Sequence, residues 1–185
     1  VKTLVLALVC LSLPGTGKTF HTREEALTIA YGKAEVVRTP HYWTKQERAK
    51  ISALAGIQKA SGTHAEYQST TKSGKVIAGR SVWFDTRKVR SKAQTIMLII
   101  DAEQRVEKIV VCAFDEPLDY KPVDRWYQQF EGKRLDKNLQ LKKSIHGVSG
   151  ATLTSRATTA AVREMLAAHA IAHPSKVKKK KGLKK

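Results

Sequence analysis

In the C-terminal third of the chain, Ser149-Gly150-Ala151-Thr152-Leu153-Thr154-Ser155 sets four hydroxyl side chains within seven residues, and Arg156 follows directly. Gly147 and Gly150 let a ligand approach the backbone closely. Downstream, Ala157, Ala161, Val162, Met165 and Leu166 recur with helical spacing. Hydroxyls and a cation just ahead of a helix meet its unpaired N–H groups and the positive end of its dipole, a combination suited to holding a phosphate. The same residues also suit a plainer duty, a glycine-containing loop leading into a Ser/Thr-rich helix cap. His146 and Lys142-Lys143 lie just upstream. Each can contact a phosphate or stay in water.

Other residues offer chemistry with weaker support. Pro14-Gly15-Thr16-Gly17-Lys18-Thr19 looks like the phosphate-cradling loop of a nucleotide hydrolase, but the full pattern needs a glycine where this chain has Ser12. It also needs a strand before it, a helix after it and a metal-binding acid, for which Asp101 and Asp115-Glu116 are the available residues. Consecutive strands in the middle of the chain argue against the parallel α/β sheet of such enzymes, so the match reads as a decoy. His169 and His173 stand four apart on the last helix. With no third ligand nearby in sequence, they are expected to face solvent and not metal. Cys112 is expected to be buried and inert. Trp126 and Phe130 are expected to pack in the core and not against a ligand.

The elements that must position these groups follow from caps and periodicity. Thr22 precedes Glu24-Glu25 and an apolar run, so a helix is expected from there to about Val37, ended by Pro40. Thr44-Lys45-Gln46-Glu47 is a capping box opening a second helix, with Ile51 and Leu54 on one face and Gly56 or Gly62 as its end. Strands are expected over His64–Lys72, Lys75–Phe84, Thr95–Ile100 and Val106–Phe114, with turns at Ser73-Gly74 and Asp101–Gln104. Turns this short make the strands antiparallel neighbours. Val123–Phe130 reads as a short helix. The last helix is expected from about Thr154 to His173, stopped by Pro174. Helices, a meander of strands and helices again indicate an α+β domain, an antiparallel sheet flanked by N- and C-terminal helices.

The chain has 185 residues, which suits one domain with tails, and its 42% apolar share excludes global disorder. Its charge is unusual. Seven of its net +18 charges lie in Lys176–Lys185, leaving +11 on the body. Such a field draws anions, whether nucleic acid, anionic lipid, a phosphate-bearing cofactor or an acidic partner. The segment Val1-Lys2, then Thr3 to Leu13, broken by Pro14-Gly15, reads as a secretory signal, too short for a bilayer span of ~20 apolar residues. The expected organisation is a leader over 1–19, a ligand-binding domain over 20–174 and a lysine-rich tail over 175–185.

The segment Ser149-Gly150-Ala151-Thr152-Leu153-Thr154-Ser155 closely resembles the flavinylation motif of the FMN-binding domain family. That family includes the FMN-carrying periplasmic subunits of sodium-pumping quinone reductases and related electron-transport complexes. Gly74-Lys75-Val76-Ile77-Ala78-Gly79 is similar to its paired strands, and Asp101 through Phe114 to its hairpin. Asp115-Glu116-Pro117, Arg125-Trp126 and Gln129-Phe130-Glu131-Gly132-Lys133 are similar to a branch of soluble members, so the likeness spans roughly residues 65 to 170. The resemblance implies a phosphoester between FMN and the threonine aligned with Thr152, made by a flavin transferase from FAD with Mg²⁺. Ser149, Gly150, Ala151, Leu153 and Thr154 are the implied companions, with Glu116 and His146 beside the cofactor. Where the family's pattern carries an acid six residues before the modified threonine, this chain has His146. The implied function is an exported electron-transfer flavoprotein, a component of an electron-transport system and not a self-contained enzyme. Its implied partners are membrane redox subunits, a quinone or a cytochrome, with an anionic membrane surface as a further one. Two alternatives stay open, a noncovalent FMN-binding sensor or regulatory domain and a basic nucleic-acid-binding protein, the latter disfavoured by the leader.

Overall fold

A computed structural model describes residues 17–174. Six strands form one antiparallel sheet in the order β1-β6-β5-β4-β3-β2, with β1 Lys18–Thr19, β2 Val36–Tyr42, β3 Thr63–Ser69, β4 Ser81–Lys88, β5 Ala93–Ile100 and β6 Val106–Phe114. Strands β2 through β6 follow one another across the sheet, and β1 closes the far edge by pairing Lys18 with Phe114 and Thr19 with Ala113. The helices are α1 Arg23–Tyr31, α2 Lys45–Ala55, the single turn α3 Asp124–Tyr127 and the 21-residue α4 Thr152–Ala172. The α+β architecture expected from the sequence is the one observed.

Each face of the sheet has its own core. Ile96, Leu98 and Ile100 of β5 join Trp83, Ile109 and Val111 on the face covered by α2 and α4, with Ile51, Val162 and Met165 among the fully buried contributors. Met97 and Ile99 alternate to the opposite face, where they meet Val82, Val110 and Cys112 and are covered by Ala26 and Ala30 of α1. The two-residue period of a strand explains why β5, buried on both sides, reads as unbroken apolar sequence.

Several boundaries differ from the sequence expectation. The N-terminal helix stops at Tyr31 with Gly32 at φ +64°, a conformation that costs a glycine little. Residues 36–42 then form β2, an edge strand that pairs with β3 through Pro40 opposite Ala65. Proline is tolerated there because an edge strand leaves one side of its backbone unpaired. The capping box at Thr44 and Glu47 is present, and Gly56 ends α2. Ile51 and Ala55 are the buried residues of α2, while Leu54 is exposed. Strand β4 starts at Ser81, and Val76 and Ile77 lie exposed in the preceding loop, attached to the sheet only through a Thr70–Val76 bridge. The last helix begins two residues earlier than expected, so Thr152 is itself its first residue.

Lys18 and Thr19, the end of the phosphate-loop look-alike, lie in edge strand β1, where no helix start is available to cradle a phosphate. The expected leader overlaps the sheet by these two residues, and its first sixteen, like the lysine tail, lie outside the described residues. Among the described residues, no helix is long and apolar enough to cross a membrane.

Candidate functional site

The segment leading into α4 is fixed from below. Ile145 is fully buried, and the backbone of His146 is held on both sides. Its carbonyl accepts from the Trp126 indole N–H at 2.6 Å, and its N–H donates to Gln129 Oε1 at 2.8 Å. Trp126 and Phe130 are core residues, as expected, and the indole has this second duty of placing the loop. Gly150 follows at φ +81°, where a side chain would strain the backbone. Ala151 N–H then donates to Val148 C=O at 3.1 Å and the helix begins.

The start of α4 lacks what the other long helices have. Thr22 and Thr44 cap α1 and α2, each with a reciprocal glutamate. Ala151 at the head of α4 makes no side-chain cap bond, so the first-turn N–H groups have no acceptor from a cap residue. Thr152 is exposed, and its hydroxyl reaches only Val148 C=O, at 3.4 Å. The neighbouring hydroxyls are occupied: Thr154 donates to Tyr120 C=O at 2.6 Å, and Ser155 to Ala151 C=O at 3.0 Å. Of the four hydroxyls that stood out in sequence, Thr152 and Ser149 are therefore the ones left for a ligand.

Two cavities meet at Thr152. The larger, about 600 Å³, lies between the end of α2, the 140–142 turn and the outer face of α4. Ile57, Leu141 and Val148 give it apolar walls, Ser149 and Thr152 its hydroxyls, and Lys142, Arg156 and Arg163 its positive charge. Its size is that of a ligand pocket. Thr152 and Arg156 are four residues apart on one helical face. The smaller cavity, about 160 Å³, lies on the other side of the motif, bounded by Val89, Arg90, Glu116, Tyr120 and residues 150–154.

Of the residues that the resemblance places around the cofactor, all line one of these cavities except His146, whose side chain is exposed and outside both. Glu116 is buried and fully engaged, because its Oε1 accepts from the backbone N–H groups of Arg90, Ser91 and Lys92 at 3.1, 2.6 and 2.7 Å. Those bonds, Lys92's foremost, hold its carboxyl below the usual carboxylate range. It ties the β4–β5 turn to the end of β6 and thereby shapes a wall of the smaller cavity.

Arg163 was not evident from the sequence. Buried on α4, it donates to four carbonyls, Ala55 at 2.5 Å, Asp136 at 2.7 Å, Leu139 at 2.9 Å and Leu54 at 3.3 Å. It satisfies the C-terminal end of α2 and fixes the back of the larger cavity. Burial pushes its pKa down.

The far end of α4 corrects another expectation. His169 is buried, not solvent-facing, and His173 is half-buried. Both meet Glu66 of β3, a carboxylate only 1% exposed. His173 Nε2 lies 2.8 and 2.9 Å from its two oxygens, His169 Nδ1 lies 3.9 Å from Oε1, and His41 Nε2 lies 3.1 Å from Oε2. Burial alone would raise the Glu66 carboxyl, but hydrogen bonds from His173, Ser81 and His41 outweigh it and hold the pKa down at about 2. Burial, helped by the charge of His173, pushes His169 down to about 4, while the bond to Glu66 raises His173. Cys112 is buried, as expected, with its thiol pushed up to about 11 by that burial.

Fold and site together define an α+β domain with an uncapped, cationic helix start placed between two cavities. The sequence model of the FMN-binding domain family matches residues 90–167, from the β4–β5 turn through most of α4. Among solved structures, the crystal structure of Shewanella oneidensis NqrC is similar, with 17% sequence identity and a TM-score of 0.44 over 77% of this chain and 82% of that one. Comparison with curated protein sequences gave no match.

Proposed function

We propose that this protein carries FMN joined through a phosphoester to the Thr152 hydroxyl, and that it relays electrons to or from redox partners at the outer face of a membrane. The observation that carries this reading is the placement of Thr152. Its hydroxyl is exposed at the first residue of an uncapped helix, on the rim shared by two cavities, one turn from Arg156. An acceptor that must enter another enzyme's site needs such exposure.

The residues present fit the group. First-turn N–H groups of α4, Arg156 and Lys142 offer donors and positive charge to a phosphate. Ile57, Leu141 and Val148 offer apolar surface to a ring system. When bound, FMN supplies the redox chemistry, taking up electrons singly or in pairs, while the protein supplies orientation and electrostatics. A phosphoester tether prevents loss of the cofactor after export, where no free pool refills the site. The seven lysines within 176–185 fit a role in holding the protein to anionic lipid, each contributing about 1 kcal/mol near such a surface. Membrane redox subunits, a quinone or a cytochrome are the partners this reading implies.

The test is the intact mass of the denatured protein after co-expression with a flavin transferase. A gain of one FMN less one water, absent in Thr152→Ala, is expected. Yellow protein that loses its colour on denaturation, without mass gain, would replace the phosphoester by noncovalent binding and implicate His146. A colourless protein of unchanged mass would overturn the flavoprotein reading. Co-sedimentation with anionic liposomes is expected to fall when residues 176–185 are deleted, and an unchanged result removes the lipid role.

A further inference from the structure

We propose that Glu66, His169 and His173 form a binding site for one divalent transition-metal ion, with Zn²⁺ as its best-suited occupant. The three ligand atoms lie within 4.8 Å of one another, and the residues come from β3 and the last turns of α4. Two imidazoles and one carboxylate are a donor set that zinc takes up readily. His169 and His173 lie one turn apart, so both rings project from one side of the helix toward the strand. Four ligands at about 2.1 Å in a tetrahedron stand roughly 3.4 Å apart. The present separations from Glu66, 2.8 Å to His173 and 3.9 Å to His169, straddle that value. Small rotations of the two rings therefore admit an ion between the three groups.

The surroundings add what a metal ligand set requires beyond its donors. Ser81 donates to Glu66 Oε1 at 2.5 Å and itself accepts from the Trp83 indole N–H at 2.8 Å. His41 engages the other carboxylate oxygen at 3.1 Å and is stacked between Trp43 and Trp83 at ring-centroid distances of 5.2 Å. Glu66 is thus oriented by a second layer of packed groups, which is the usual support of a metal-bound carboxylate. Gln104 donates to the carbonyl of His173 at 2.9 Å and anchors the end of the helix. A cavity of about 180 Å³, walled by residues 78–81 and 101–104, opens onto both His169 and His173. It gives an ion a path in and leaves a fourth position for water. From Thr152 to His169 the helix runs about 25 Å, so this site is separate from the proposed flavin site.

The full chain, stripped with a chelator and without flavin, is titrated with Co²⁺ as a spectroscopic stand-in and then with Zn²⁺ in competition. One ion per chain is expected, with the intense visible absorption of low-symmetry Co²⁺ and a rise in melting temperature. Glu66→Gln, His169→Gln and His173→Gln should each weaken binding by more than about 100-fold, beyond the loss typical of second-layer changes. His21→Gln, outside the cluster, should leave binding intact. Because Glu66 is buried and its replacement risks unfolding, half-buried His173 provides the decisive variant, with circular dichroism confirming its fold. No stoichiometric binding by the parent protein, or binding retained by a folded His173→Gln, would overturn the proposal.

Discussion

The two ends of α4 treat their polar groups in opposite ways. At its start the helix has no cap, the Thr152 hydroxyl is exposed, and Arg156 faces an open cavity. Near its end, His169 and His173 converge on a buried carboxylate that also holds Ser81 and His41. Helices α1 and α2 show that this chain builds full capping boxes where a helix start serves the fold alone. The longest helix has no such cap, and its first-turn donors have no side-chain acceptor from a cap residue. The far end teaches the converse, that a burial cost met by mutual pairing leaves an ordered set of ligand atoms inside the protein.

The largest effect expected would break the two ends apart. Thr152→Ala should remove all attached FMN while leaving Co²⁺ or Zn²⁺ titration unchanged. Intact mass and metal titration on the same sample check it, and loss of both functions together would mean that the ends act as one unit.

Glu66→Ala should be the most destabilising of these substitutions. It takes the acceptor from His173, His41 and Ser81 at once, and removing one partner from a buried ion pair typically costs about 3–5 kcal/mol. Urea unfolding near pH 7 measures it. A cost similar to that of a surface change would show that the cluster is already solvated.

Protonation sharpens the contrast further. His169 has its folded pKa lowered to about 4 from 6.5, so the unfolded chain binds this proton first as pH falls. Metal-free protein should therefore lose stability through this group between pH 6.5 and 4, on the order of 3 kcal/mol. His173, raised by Glu66, works the other way, adding stability at low pH that is lost as pH rises through its folded value. Glu66 itself, lowered to about 2 from 4.5, adds stability above 4.5 that is lost as pH falls toward 2. Besides Glu66 and His173, the groups acting on His169 are His41, whose charge lowers it further, Ser81 and the Trp83 ring. His169→Gln should flatten the slope between pH 6.5 and 4, and an unchanged slope would place its source elsewhere.

The same contrast explains what is legible in the sequence. The capping box at Thr44, strand β6 and the hydroxyl cluster at 149–155 are local patterns, each decided by residues within one or two turns of each other. The start of α4 was legible because a helix terminus and the hydroxyls beside it are built from consecutive residues. The histidine–glutamate cluster was not, since Glu66 and His173 lie 107 positions apart and meet only when α4 packs across the sheet. Edge strand β2 was hidden because Pro40 normally ends an element, and its tolerance depends on the sheet order. Arg163 was hidden for a related reason. Its four carbonyl partners come from α2 and the 136–139 turn, which no spacing in sequence announces.

The smallest effect expected bears most directly on the open helix start. Thr44 accepts the Glu47 N–H at 3.2 Å while Glu47 returns a bond to the Thr44 N–H at 2.9 Å. Thr44→Ala removes the hydroxyl that accepts the Glu47 N–H and donates to its carboxylate, leaves the backbone N–H bond in place, and should cost about 1 kcal/mol of stability. Thr152 has only the long contact to Val148, so Thr152→Ala should cost a few tenths of that, about the size of an ordinary surface substitution. Thermal or urea unfolding of the two variants in flavin-free protein compares them directly. A threonine that costs little to remove from the fold, yet whose loss abolishes cofactor attachment, is kept for its hydroxyl. Equal costs at the two positions would instead make Thr152 a cap, and would return the hydroxyl cluster to a structural role.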